Sequence, residues 1–119
     1  MHAAIDNLDM FAISINKMHK IKLWEIFGTT HKEINSEELN RKNYTKCSLY
    51  TFESGFSRYK PLIILGHEKG FTIADYHLKI VKEVSGVEVK DIVVTGTSKR
   101  VILGIITPQG QLLLWNLDK

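Results

Sequence analysis

The stretch Arg100–Lys119, RVILGIITPQGQLLLWNLDK, carries a pattern that recurs along the chain. It begins with the apolar run Val101–Ile106, as expected of a strand that is covered on both faces. Thr107-Pro108-Gln109-Gly110 then predicts a tight turn, since proline and glycine are favoured in such turns. A second strand follows and ends in Leu114-Trp115-Asn116-Leu117. The stretch therefore predicts a β-hairpin.

The composition is that of one folded domain. The chain has 119 residues, of which 44% are hydrophobic and 24% charged. The net charge of +3 is compatible with acidic protein or nucleic acid partners, and also with an ordinary lysine-rich surface. The single cysteine, Cys47, excludes an internal disulfide and favours an intracellular location, cytoplasm or nucleus. No apolar run approaches the ~20 residues of a membrane-spanning helix, and no signal peptide is expected.

Two earlier segments repeat the plan of the opening stretch, and the three share the ending of their last predicted strand. Trp24, Ala74 and Trp115 occupy the same place, each followed by an acid or its amide, at spacings of 50 and 41 residues. A period of about 40 to 45 residues with four strands per unit is typical of β-propellers. The shared endings are Ile21-Lys22-Leu23-Trp24-Glu25, Phe71-Thr72-Ile73-Ala74-Asp75 and Leu112-Leu113-Leu114-Trp115-Asn116.

These segments resemble diverged WD repeats. Trp24-Glu25 and Trp115-Asn116 approach the Trp-Asp dipeptide of that family, whereas Ala74-Asp75 keeps only the acid. The resemblance implies an all-β fold, a partial β-propeller of about three four-stranded blades that forms a single domain over residues 1–119. A small barrel or a meander is the alternative all-β fold. The blade-like units are expected at about 2–34, 47–84 and 87–119.

A polar segment over about 28–46 separates the first two units and is interpreted as an insertion. Asn35 and Glu38 have the spacing of a helix capping box, so a short helix through Arg41 is one interpretation. A loop is the other interpretation, because a helix here would bury few apolar side chains.

Three blades are too few to close a propeller, which typically has about four to eight. The chain is therefore expected to be a piece of a longer propeller, or to close with a second copy or with another protein. Because the last predicted strand runs to the end of the sequence, a strand from elsewhere is expected to complete that blade. Without partner blades, apolar faces and strand edges would be exposed.

No catalytic motif stands out, so the protein is not expected to be an enzyme. Cys47 has no acid–base partner nearby in the sequence and is expected to pack as a small apolar residue. No metal site, cofactor or small-molecule substrate is expected, because the histidines form no close cluster and fit turn or surface positions. These histidines are His2, His19, His31, His67 and His77.

Basic residues are expected at one end of two neighbouring blades. In a propeller, the loops between the first and second strands of all blades emerge on the same face, and here they would be Ser57–Lys60 and Thr97–Arg100. Such a patch could hold an acidic peptide or a nucleic acid backbone, although loops are commonly polar in any case. The candidate partner-binding residues are Arg58, Tyr59, Lys60, Lys99 and Arg100.

The predicted function is that of a non-catalytic protein-interaction scaffold, a propeller segment within a larger intracellular assembly. Its expected partners are other protein subunits, including one that completes the propeller. The alternative is a nucleic-acid-contacting subunit of a ribonucleoprotein or chromatin complex that uses the basic loop face. Neither function involves a membrane.

Overall fold

The computed structural model describes residues 2–37, 43–53, 59–96 and 100–118. Within these ranges the chain forms β-strands and no helix, so the predicted all-β class is confirmed. The strands are β1 (His2–Ile5), β2 (Phe11–Ile15), β3 (Ile21–Phe27), β4 (Thr30–Glu37), β5 (Lys46–Glu53), β6 (Tyr59–His67), β7 (Gly70–Ala74), β8 (Ile80–Ser85), β9 (Asp91–Gly96), β10 (Arg100–Ile106) and β11 (Leu112–Asp118).

The strands form three antiparallel sheets, each in chain order. Sheet 1 is β1-β2-β3-β4, sheet 2 is β5-β6-β7-β8 and sheet 3 is β9-β10-β11. None of these sheets, as described, closes into a barrel, because the first and last strands of each pair on one side only. Neighbouring sheets contact through their first strands, since β5 lies against both β1 and β9.

The shared sequence endings lie in the third strand of each sheet, β3, β7 and β11. Sheets 1 and 2 also share an irregularity at the equivalent place in this ending. The pairing of β3 with β4 shifts between Leu23 and Trp24, and that of β7 with β8 shifts between Ile73 and Ala74. The repeat is therefore visible in strand order and in bulge position, whereas a propeller arrangement of the sheets stays a prediction.

The interpretation of the polar segment as a loop or short helix was wrong for residues 30–37, whereas residues 43–45 lie outside any strand. Thr30–Glu37 form β4, which pairs with β3 at the edge of sheet 1. Residues 31–33 are exposed, and Ile34 packs against the core. An exposed edge strand carries polar side chains on both faces, so its sequence resembles that of a loop. The remainder of the proposed helix, residues 38–41, lies outside the described residues.

Sheet 2 is packed on both faces, with one apolar cluster on each. The cluster between sheets 1 and 2 has Ile13 and Leu23 on one side and Ile63 and Leu65 on the other, all 0% exposed. Burying a side chain of this size contributes about 1.5–3 kcal/mol, so these contacts hold the sheets together. The cluster between sheets 2 and 3 is built around Ile64, Phe71, Ile73, Ile92, Leu103 and Ile105.

Hairpin loops 16–20, 75–79 and 107–111 have the same conformation. In each loop, the side-chain oxygen of the first residue accepts a hydrogen bond from the backbone N–H four positions later. The fourth residue adopts positive φ in every case. Asn, Asp and Thr are suited to the first position because their short side chains reach the backbone of the same turn. The first residues are Asn16, Asp75 and Thr107, and the fourth are His19, Leu78 and Gly110.

Truncating Leu65 should destabilise the fold much more than truncating an exposed leucine. Leu65 is 0% exposed in the cluster between sheets 1 and 2, whereas Leu8 is 45% exposed. We expect Leu65→Ala to lower the free energy of unfolding by about 2–5 kcal/mol and Leu8→Ala by less than about 1 kcal/mol. Denaturant unfolding of both variants measures the difference. Equal losses would contradict the packing described for sheet 2.

Candidate functional site

The candidate partner-binding residues lie partly in strands and partly outside the described residues. Tyr59 and Lys60 are the first residues of β6, and Arg100 is the first residue of β10, so these three belong to strands and not to loops. All three are exposed. Both strands are the second of their sheet, and both start at the end where the first strand of that sheet finishes. Arg58 and Lys99 lie outside the described residues.

Cys47 has a partner that is remote in sequence. The Nδ1 atom of His2 in β1 accepts a hydrogen bond from the backbone N–H of Cys47 at 3.2 Å and lies 3.1 Å from its Sγ. Sequence reasoning missed this pair because 45 positions separate the two residues. The pair forms because β1 and β5, the first strands of sheets 1 and 2, lie side by side.

The electrostatics of this pair are those of a structural contact. Cys47 is 3% exposed and belongs to the core between sheets 1 and 2. Burial raises the pKa of the Cys47 thiol to about 12. Burial also lowers the pKa of His2, and nearby Lys46 adds to this effect. Both groups are therefore neutral near pH 7, whereas a nucleophilic Cys–His pair requires a thiolate beside an imidazolium.

The other described histidines take varied positions. His67 is 7% exposed at the end of β6, beside the turn that leads to β7, and packs edge-on against Tyr44. His31 lies edge-on against Trp24 at 5.3 Å between ring centroids. Across the described ranges, no group of three or more His, Cys, Asp or Glu side chains is placed to hold a metal ion.

The Cys47 thiol should react very slowly in the native protein. A pKa of about 12 leaves about one thiol in ten thousand as thiolate at pH 8, and burial restricts access further. We expect labelling by a disulfide reagent at pH 8 to be about a thousandfold slower, or more, than in the denaturant-unfolded chain. Absorbance of the released thiol measures both rates. Rapid labelling of the folded protein would contradict the neutral pair.

The outer face of sheet 3, defined as the face turned away from sheet 2, carries an uncovered apolar patch. Side chains alternate across a strand, so Leu103 and Trp115 point toward sheet 2 while Leu112 and Leu114 point outward. Leu112 is 59% and Leu114 65% exposed. They flank Gly104, where an added Cβ would lie 3.3 Å from Leu112 Cδ1 and 3.5 Å from Leu114 Cδ2. The other apolar members of this face are Val93, Ile102 and Ile106.

The outer face of sheet 1, defined as the face turned away from sheet 2, also has an apolar area. Its largest side chain is Trp24, whose Nε1–H donates a hydrogen bond to Ser14 Oγ at 2.9 Å. Lys22 lies with its Nζ 5.8 Å from the centroid of this ring. A depression with a volume of about 390 Å³ lies on this face. It is lined mainly by small and apolar residues, including Ala3, Ile5, Ala12, Trp24 and Ile26, and also by His31.

These two outer faces, one at each end of the row of three sheets, are the candidate functional surfaces. Comparison with models of known protein families gave no match to the sequence, and comparison with curated proteins gave none either. No helix long and apolar enough to cross a membrane occurs in the part of the chain that the structure describes.

Proposed function

We propose that the chain is a non-catalytic protein-interaction scaffold, a WD-repeat-like propeller segment within a larger intracellular assembly. Its role is to pack against further β-sheets and to present its strand ends to other subunits. The row of meander sheets, the adjacent first strands and the shared third-strand endings support this proposal. The single unpaired, buried cysteine is in keeping with a reducing compartment.

The proposal depends on one observation. Two positions of the third strand are buried in sheets 1 and 2 but exposed in sheet 3. Leu112 and Leu114 take the places that Ile21 and Leu23 have in sheet 1 and that Phe71 and Ile73 have in sheet 2. The four earlier residues are at most 3% exposed because the next sheet covers them. Leu112 and Leu114, at 59% and 65%, lack such a cover.

Exposed leucine pairs on a flat sheet face are costly in water, at roughly 25 cal/mol for each Å² that another surface would bury. They also mark interaction surfaces when they form part of a contiguous patch. On this face Val93 is a third exposed apolar side chain, 51% accessible. Sheet 3 therefore presents the kind of surface that the other two sheets keep buried.

Negative charges introduced on the outer face of sheet 3 should strongly weaken protein association. We expect affinity capture with the tagged Leu112→Glu/Leu114→Glu variant to recover at least about tenfold less bound polypeptide than wild type, since an unpaired buried carboxylate opposes binding. Quantitative mass spectrometry of captured proteins, untagged copies of the chain included, measures the loss. Met18→Glu is the control, because Met18 is 79% exposed in the loop between β2 and β3. Unchanged recovery with the double variant would refute the scaffold role of this face.

The alternative function, contact with nucleic acid, is supported by Lys60 and Arg100. Both side chains are exposed, and they begin the second strands of neighbouring sheets at the same end of the molecule. Phosphate contacts by such residues make binding steeply salt-dependent.

Charge reversal at Lys60 and Arg100 distinguishes nucleic acid binding from the scaffold function. If the chain binds RNA or DNA there, Lys60→Glu/Arg100→Glu should weaken binding at least about tenfold. The slope of log affinity against log salt concentration should fall by about 2, because two phosphate contacts are lost. Fluorescence anisotropy over a salt series measures both effects. Lys17→Glu is the matched control, because Lys17 is exposed in a loop at the opposite end of sheet 1. Weak binding with no difference between the variants would leave the protein scaffold as the function.

A further inference from the structure

We propose that the polypeptide covering the outer face of sheet 3 is a second copy of this chain, packed through the outer face of its sheet 1. The proposal rests on the function proposed above and names the partner of the same surface. Two copies would then form a closed ring of six sheets. Each copy contributes one surface of each kind to the ring.

The internal contact between sheets 2 and 3 is the template for this junction. There, Trp115 of the later sheet lies edge-on against Phe71 of the earlier sheet, with 5.0 Å between ring centroids. Trp24 occupies in sheet 1 the place of Trp115 in sheet 3, and Leu112 occupies in sheet 3 the place of Phe71 in sheet 2. The chain therefore carries both halves of one more junction of this type, one half on each outer face.

The outer face of sheet 1 is chemically prepared for burial. The indole N–H of Trp24 already has its hydrogen-bond acceptor in Ser14, so covering the ring would leave no donor unpaired. Ile5, on the first strand, is 62% exposed and faces the same side as Ala12. The depression of about 390 Å³ beside these residues offers room for leucine side chains from the other copy.

Two charged groups on this face, Lys22 of the inner strand β3 and Glu33 of β4, lie close to each other. Lys22 Nζ is 3.9 Å from Glu33 Oε1 of the edge strand β4, and both side chains are partly exposed. Such a pair contributes little energy in water. It places a carboxylate beside the Lys22 ammonium, so a cover over the Trp24 ring would not meet an isolated charge.

The type of contact and the number of sheets together limit the number of copies. A junction between two different surfaces is heterologous, and it gives either a closed ring or an open filament. Because the described ranges of each copy supply three sheets, two copies give six, which lies within the range of about four to eight sheets found in propellers. The same junction then occurs twice, related by a twofold axis, and no outer face stays uncovered.

Sedimentation velocity of the purified full chain tests the self-association. We expect wild type to sediment as a species of twice 13.6 kDa over a concentration series. Leu114→Glu and Ile5→Glu, which change opposite halves of the junction, should each weaken self-association at least about a hundredfold. Met18→Glu should leave it unchanged. Far-ultraviolet circular dichroism verifies that all three variants keep their strand content, as exposed positions should allow.

Mixing the two disruptive variants distinguishes this junction from any symmetric contact. In a mixed pair, both substitutions fall on one junction, and the second junction joins an unaltered sheet 3 to an unaltered sheet 1. The mixture should therefore recover dimer, with self-association at least about tenfold stronger than that of either variant alone. A contact of sheet 3 with sheet 3, or of sheet 1 with sheet 1, cannot be rescued in this way.

Each outcome of these experiments either supports or overturns the second copy. Dimeric wild type, dissociation by both variants and recovery in the mixture would support the second copy. A monomer at every concentration, a species larger than a dimer, dissociation by only one variant, or a mixture without recovery would overturn it. If the wild type is monomeric and Leu112→Glu/Leu114→Glu still reduces the capture of a different protein, the second copy is refuted. The scaffold function would then stand.

Discussion

The packing of sheet 2 between two other sheets is the interaction on which the structure depends. A β-sheet with apolar side chains on both faces is stable in water only when both faces are covered, and sheets 1 and 3 provide these covers. The closeness of the fit is visible at Gly96, where a Cβ would lie 2.7 Å from Cζ of Tyr50. A side chain at that position would require the Tyr50 ring to move.

The sequence predicts the elements that packing constrains most. Buried strands such as Leu62–Leu65 and Val101–Ile106 carry continuous apolar runs, and the third strands share an ending, so strand positions and the all-β class follow from pattern alone. Edge strand β4 was missed because few of its side chains need to be apolar. Strand β1 gave no signal of its own, since it has four residues, two of them alanine, which is a weak strand former.

The candidate surfaces also have some features that the sequence predicts and others that depend on how the sheets pack. Trp24 and Trp115 were identified as equivalent from the sequence, but their difference in environment is a property of sheet order, since only Trp115 has an earlier sheet to pack against. The pairing of His2 with Cys47 depends on two first strands lying side by side, and spacing along the chain carries no information about it. Tyr59, Lys60 and Arg100 were expected in loops, but strand pairing extends one or two residues further than their polar character suggests.

The matching bulges of sheets 1 and 2 bear on the origin of the chain. Apolar alternation can arise independently in any two sheets, because the same need for a dry core selects it each time. Both register shifts lie where the third strand pairs with the edge strand, at the same step of the shared ending. Bulges are common at sheet edges, and they are conserved within protein families. Duplication of one ancestral four-stranded unit, followed by divergence of its side chains, would account for both sheets with a single event.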